Sequence, residues 1–284
     1  MTNIQDFSGY PPTWCPGCGN HGIGIGLKTA LVQLNLDPSS VFVAFGIGCS
    51  GNMNDFLNAY VVHGLHGRAI PLAIGMKLAN HKMPVIVVAG DGDCYGEGGN
   101  HFLHACRGNH NITVIVHDNR VYGLTTGQSA PTAKKGYRSK STPTGIIEIS
   151  LNPLTLALTQ GATFVAQTFA GDASHMIEII KQGIQHKGFS LINVLQPCVT
   201  FNKVNTYQYY QKKVFKLGEN YKKSDLRSAL EAAQGNRDEK YPLGILFQEE
   251  RLTFTDQLSQ IQKGKTLLQN ERFSAFDDLF KEFS

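Results

Sequence analysis

The segment Gly90-Asp91-Gly92-Asp93 and the pair Asp118-Asn119 hold the oxygen donors best suited to a hard cation. Asp91 offers a carboxylate and Asn119 a side-chain carbonyl. With one backbone carbonyl and the phosphate oxygens of a ligand, they form the kind of set Mg²⁺ prefers. Glycines on both sides of Asp91 let backbone N–H groups approach a diphosphate with no Cβ in the way. A helix from about Gly98 aims its positive end at the same anion. Each group follows an apolar, β-branched run, at residues 85–89 and 112–116. Both therefore fall just past strand ends, where open α/β sheets bind their ligands.

Sulfur is the second chemistry. The cysteines are Cys15, Cys18, Cys49, Cys94, Cys106 and Cys198. Trp14-Cys15-Pro16-Gly17-Cys18 has the outline of a dithiol redox motif, which needs a strand before it and a helix starting at its first cysteine. Tyr10-Pro11-Pro12 cannot continue a strand ladder, which counts against that reading. Cys49 in Gly46-Ile47-Gly48-Cys49-Ser50-Gly51 and Cys198 in Gln196-Pro197-Cys198 also follow strand ends, so they can meet the N-terminal pair. The glycine loop matches a dinucleotide fingerprint, but no acid stands about twenty residues beyond it. Four gathered thiolates hold either zinc, which adds rigidity, or a [4Fe–4S] cluster, which moves single electrons. Cys94 and Cys106 read as buried thiols, the latter on a helix face with Phe102 and Leu103.

These groups need a scaffold. Apolar runs at 41–45, 85–89, 112–116, 163–167 and 190–195 read as strands buried on both faces of a parallel sheet. Helical patterns lie between them at 22–34, 71–81 (with Pro71 at N1), 97–107 and 174–186 (capped by Ser174). The fold class is α/β, a doubly wound, mostly parallel sheet. After residue 200 no further β-branched strand is expected, and 225–233, 254–262 and 275–283 read as amphipathic helices. Residues 1–200 are thus expected as the site-bearing domain and 201–284 as a helical arm that contacts a partner.

Composition excludes other classes. The 284 residues are 42% hydrophobic and 17% charged, enough to fill a core and too little charge for disorder. No apolar run approaches the ~20 residues of a membrane span, and no secretory signal opens the chain. Lys and Arg number 26 against 22 acids, without a dense stripe, so nucleic acid is not an expected partner. Free cysteines point to a reducing compartment, and a cytoplasmic location is expected.

The Gly-Asp-Gly and Asn119 arrangement resembles the thiamine diphosphate motif, departing from its closing Asn-Asn at Asp118. Together with Trp14-Cys15-Pro16-Gly17-Cys18-Gly19, His63-Gly64-Leu65-His66-Gly67-Arg68, Tyr122-Gly123-Leu124-Thr125 and Gln196-Pro197-Cys198, it resembles the beta subunits of 2-oxoacid:ferredoxin oxidoreductases. The resemblance covers residues 14 to about 200. It implies a sheet of the thiamine diphosphate-binding type and coenzyme A-dependent oxidative decarboxylation of a 2-oxo acid. Electrons then pass through a [4Fe–4S] cluster to ferredoxin. It implies cluster ligands Cys15, Cys18, Cys49 and Cys198, and Mg²⁺ on Asp91, Asn119 and the carbonyl of Val121. The thiamine diphosphate contacts implied are Ile47, Gly48, Cys49, Ser50, His66, Gly92, Asp93, Gly123 and Leu124, with His66 and Asn119 as catalytic candidates.

An obligate alpha subunit is implied, to bring the glutamate that activates the thiamine. Residues 63–80 resemble the 2-oxoglutarate and broad-specificity branch, although Asn52 stands where some broad-range relatives carry lysine. Two alternatives remain: a non-redox thiamine diphosphate lyase subunit with structural zinc, and a non-catalytic electron-transfer subunit.

Overall fold

The computed structural model describes residues 2–235, 239–261 and 264–269. In chain order its elements are α1 (Gly19–Gln33), β1 (Phe42–Phe45), β2 (Tyr60–His63), α2 (Ala69–Ala79), β3 (Val85–Gly90), α3 (Gly99–Gly108), β4 (Thr113–Asp118), β5 (Val121–Tyr122), β6 (Gln128–Ser129), α4 (Pro153–Thr159), β7 (Phe164–Phe169), α5 (Ala173–Gln185), β8 (Ser190–Leu195), α6 (Tyr207–Gln211), β9 (Val214–Lys216), α7 (Leu226–Gln234) and β10 (Tyr241–Gln248).

Eight strands form one sheet in the order β2-β1-β3-β4-β8-β7-β10-β9. Every pairing is parallel except β10 against β7. The five expected strands are all present at its centre. They are buried on both faces, as their unbroken apolar runs require. One face packs Val43, Phe45, Ile86, Val88, Ile115 and Ile192 against Ile23, Leu27 and Leu31 of α1 and Met176, Ile179 and Ile180 of α5. The other packs Val87, Val114, Val116 and Leu191 against α2, α3, α4 and α7. The result is a three-layer α/β/α sandwich.

The connection leaving β1 runs outward to β2, while the one leaving β3 runs the other way to β4. A crevice must open between the carboxyl ends of β1 and β3, and ligands of such sheets sit there. Among the described residues, no helix is long and apolar enough to cross a membrane.

Several expectations are corrected. The segment after residue 200 is not a helical arm. It supplies α7, close to the expected 225–233, but also β9 and β10, which extend the same sheet. Pro242 and Gly244 (φ 134°) hide β10, as does a bulge between Ile245 and Phe247, because each is foreign to a regular strand. The expected helix at 254–262 is a pair of short 3₁₀ turns over its described residues, Thr255–Gln257 and Ser259–Ile261. The one at 275–283 lies outside the described residues.

Asp172, not Ser174, caps α5, its carboxylate accepting the His175 N–H. Pro71 falls at the third position of α2, where its missing N–H is still among those without an intrahelical partner. The helix expected at 97–107 is present as α3, preceded by a π-helical turn over Gly92–Glu97.

Candidate functional site

The loops after β1, β2, β3 and β4 line one cleft. Its walls include Ile47, Gly48, Cys49, Ser50, His66, Gly92, Asp93, Gly123 and Leu124, together with Asp91, Asn119 and Val121. Every residue implied for thiamine diphosphate or Mg²⁺ is therefore gathered in one place, with Tyr122 and Thr125 added.

Asp91 is buried at the carboxyl end of β3. Its Oδ2 accepts the Arg120 N–H at 2.8 Å and a short hydrogen bond from Thr132 Oγ1. Burial, then the neighbouring Asp118, pushes the Asp91 carboxyl well above the usual carboxylate range. Asp91 and Asn119 line the same cleft, and a buried carboxylate with an amide oxygen is the kind of donor set a hard cation takes, whose charge would offset that penalty. Asn119 is fixed at both ends: Oδ1 accepts the Val121 N–H at 3.0 Å, and its carbonyl accepts from Asn202 Nδ2 at 2.9 Å. Arg120 between them has a φ of 65°, a left-handed backbone uncommon outside glycine and a frequent mark of functional turns.

Asp118, the departure from Asn-Asn, does not line this cleft. It faces a separate cavity behind the loop, where Oδ2 accepts from Asn193 Nδ2 at 3.1 Å. That cavity also holds Arg120, whose Nη2 donates to Tyr241 Oη at 2.9 Å. Asp118 is thus a partner of buried polar side chains and leaves the cation position to Asp91 and Asn119.

The diphosphate end has donors and space. Ser50 Oγ is buried without a hydrogen-bond partner and lines the cleft beside Gly90 and Gly92. Asp93 ties three loops together. Its Oδ1 accepts from Ile47 N at 3.1 Å and Gly67 N at 2.9 Å, and lies 2.9 Å from His66 Nδ1. Only a glycine at position 46 leaves room for that carboxylate, because a Cβ there would collide with Asp93 Oδ2. Burial raises the Asp93 carboxyl from its ordinary value despite these donors. With Nδ1 turned to Asp93, His66 presents Nε2 as its free ring nitrogen at the edge of the cleft. Tyr122 closes the floor, its ring over Gly92 and its Oη 3.2 Å from Glu97 Oε1.

The four expected cysteines meet beside this cleft. A Pro16-Gly17 turn, with Gly17 at φ 78°, brings Cys18 N within 3.0 Å of the Cys15 carbonyl. Trp14 Nε1 donates to the Cys49 carbonyl at 2.6 Å, pinning the N-terminal segment to the loop after β1. Gly19 N donates to the Pro197 carbonyl and so joins the start of α1 to the end of β8. Burial raises the Cys18 thiol to about 11, the Asn20 N–H opposes this, and Cys198, Cys49 and Cys15 add to it. Burial, then Cys198 and Cys15, raises Cys49 to about 11 as well.

All six cysteines are unpaired. The helix begins after Cys18, not at Cys15, which rules against the dithiol reading. Among the described residues, no three His, Cys, Asp or Glu side chains converge on a single metal ion. A Cβ on Gly123 would lie 3.5 Å from Cys49 Sγ and 3.7 Å from Cys198 Sγ. Gly123 and Cys49 share the cleft wall, and Cys198 lies next to them. Cys94 and Cys106 are buried in the core, as expected. Thr132 and Asn202 are additions that sequence reasoning misses, since a lone threonine and a lone asparagine in loops carry no spacing signal.

Fold and cleft together define a thiamine diphosphate-binding α/β domain. Residues 46–194 match the family described as thiamine pyrophosphate enzyme, C-terminal TPP binding domain. Residues 198–263 match the family of C-terminal segments of the pyruvate ferredoxin oxidoreductase beta subunit. The 2-oxoacid:ferredoxin oxidoreductase subunit beta of Saccharolobus solfataricus is 46% identical over 86% of this chain and 84% of its own. The 2-oxoglutarate synthase subunit KorB of Archaeoglobus fulgidus is 39% identical over 68% and 72% respectively. The solved 2-oxoglutarate:ferredoxin oxidoreductase from Magnetococcus marinus superposes with a TM-score of 0.91 at 36% identity, covering 100% of this chain and 96% of that one. The chain belongs to the beta subunits of the 2-oxoacid:ferredoxin oxidoreductases, heteromeric enzymes of which it is one subunit.

Proposed function

We propose that this subunit, joined to an alpha subunit, carries out coenzyme A-dependent oxidation of 2-oxoglutarate to succinyl-CoA and carbon dioxide. It delivers the electrons to ferredoxin through a [4Fe–4S] cluster on Cys15, Cys18, Cys49 and Cys198. One observation carries the reading. The buried oxygen set of Asp91, Asn119 and Val121 lines one cleft together with Cys49 and Gly123, and a Cβ at Gly123 would touch the sulfurs of both Cys49 and Cys198. The substrate assignment draws on the relatives named for 2-oxoglutarate and on the Magnetococcus enzyme, whose structure holds 2-oxoglutarate, coenzyme A and succinyl-CoA. Free thiols around an exposed Cys15 suit a reducing compartment, and the cytoplasm is the natural one.

Thiamine diphosphate, when bound, supplies the electron sink for decarboxylation. The protein's own part is anchoring and orientation. Asp91 and Asn119 present oxygen to Mg²⁺, while Thr132, the Arg120 N–H and Asn202 keep them in place. Ser50 Oγ is free to donate to a diphosphate oxygen. Asp93 holds the Nδ1 side of His66 and so orients its ring at the edge of the cleft. The four thiolates fix where electrons leave the cleft.

The test is an anaerobic, coenzyme A-dependent viologen-reduction assay of the co-expressed alpha and beta subunits. Turnover of 2-oxoglutarate exceeding that of pyruvate is expected. A preference for pyruvate overturns the substrate assignment, and activity of the beta subunit alone overturns the need for a partner.

A further inference from the structure

Cys18, like Cys198, is buried, and a polar side chain reaches it from the end of β8. Gln196, fully buried at the end of β8, points its side-chain amide at it, with Nε2 3.4 Å from Cys18 Sγ. The same nitrogen donates to the Pro197 carbonyl at 2.7 Å. This second contact fixes the amide's orientation, because turning it over would set Oε1 against a carbonyl oxygen. Both N–H bonds of Nε2 are therefore assigned, one to Pro197 and one to the sulfur. Gly19 makes the approach possible, since a Cβ there would stand 2.8 Å from Gln196 Cγ. Next to it, Asn20 is buried with Oδ1 2.8 Å from His117 Nδ1, a brace for the first turn of α1.

We propose that Gln196 is a positioning residue for electron transfer, donating a hydrogen bond to Cys18 Sγ that raises the reduction potential of the cluster. The inference rests on the cluster reading given under the proposed function. Four thiolates and a [4Fe–4S]²⁺ core carry a net charge of 2−. One electron, supplied by the oxidation of the 2-oxo acid, takes the core to [4Fe–4S]⁺ and the net charge to 3−, with no proton moved and no bond broken. A fixed N–H dipole aimed at sulfur favours the more negative state. Its effect is greatest where water is excluded, as it is around Gln196. Cys15, exposed to solvent, lacks that environment.

The experiment is a redox titration of the anaerobically purified alpha–beta enzyme, followed by EPR, for wild type, Gln196→Met and Gln196→Glu. Iron and acid-labile sulfide are measured on each sample. Gln196→Met keeps the side chain's length without the donor, and its midpoint potential is expected to fall at unchanged iron content. Gln196→Glu, which adds negative charge, is expected to fall at least as far. A separate readout needs no substitution: pulsed EPR of reduced wild type labelled with ¹⁵N in glutamine side-chain amides should show a weakly coupled nitrogen. Wild type without a cluster signal overturns the cluster reading itself. Wild type with a cluster, but with no shift in a cluster-loaded Gln196→Met, overturns only this inference. If Gln196→Met loses its iron, a missing amide nitrogen coupling in wild type does the same.

Discussion

The oxygen-rich side of the cleft and the sulfur-rich side are built in different ways. Asp91 and Asn119 sit at the ends of two adjacent central strands, β3 and β4, whose register is set by five paired residues. The sheet that forms the core places them. The four cysteines come from the N-terminal turn, the loop after β1 and the segment after β8. They are held by single contacts: Trp14 to the Cys49 carbonyl, Gly19 to Pro197, Gln196 to Cys18. One side is preorganised by the fold, while the other is assembled by brackets around whatever the sulfurs bind. The two should therefore fail separately.

Asp91→Asn makes the largest change. It should lower 2-oxo acid oxidation at least about 100-fold, as loss of a metal's charged ligand exceeds the effects of outer partners. Iron content is expected to stay as in wild type; iron lost together with activity would show the two sides to be one unit. Cys198→Ala is the reciprocal cut, with iron and viologen reduction lost and thiamine diphosphate affinity, read by fluorescence quenching, within about twofold, as for independent sites. Thr132→Val removes the hydroxyl on Asp91 and should weaken Mg²⁺ binding about 10- to 100-fold without touching the cluster spectrum.

Trp14→Phe removes one bracket on the sulfur side. A loss of about 1 kcal/mol there should speed cluster loss under chelators while leaving Mg²⁺ affinity alone.

The smallest effect is on acid stability and lies outside both sides. Burial lowers His186 from 6.5 to about 4, and Nε2 stands 2.8 Å from Thr163 Oγ1. The unfolded chain takes a proton first as pH falls, so this contribution is complete above about pH 6.5 and declines towards about pH 4. His186→Gln should flatten the melting temperature between those limits. An unchanged slope would assign acid sensitivity elsewhere.

The sulfur and oxygen residues were legible because their chemistry needs rare residue types at strand ends, and the central strands because burial on both faces leaves unbroken apolar runs. The role of Asp118 was not legible. Sequence places it beside Asn119, but strand alternation turns it towards Asn193 and the opposite cavity. β10 was missed because Pro242, Gly244 and a bulge are read locally as breakers, and its reason for being a strand is the open edge of β7. Thr132 and Asn202 act by hydrogen bonds across 41 and 83 residues, a distance that no local pattern encodes.

Gly123 puts bare main chain against two of the four sulfurs. A Cβ there would stand 3.5 Å from Cys49 Sγ and 3.7 Å from Cys198 Sγ, on the wall of the cleft. Any larger residue at that position would press on both sulfurs and crowd the space where they meet the cleft. The contribution of position 123 is to take up no room.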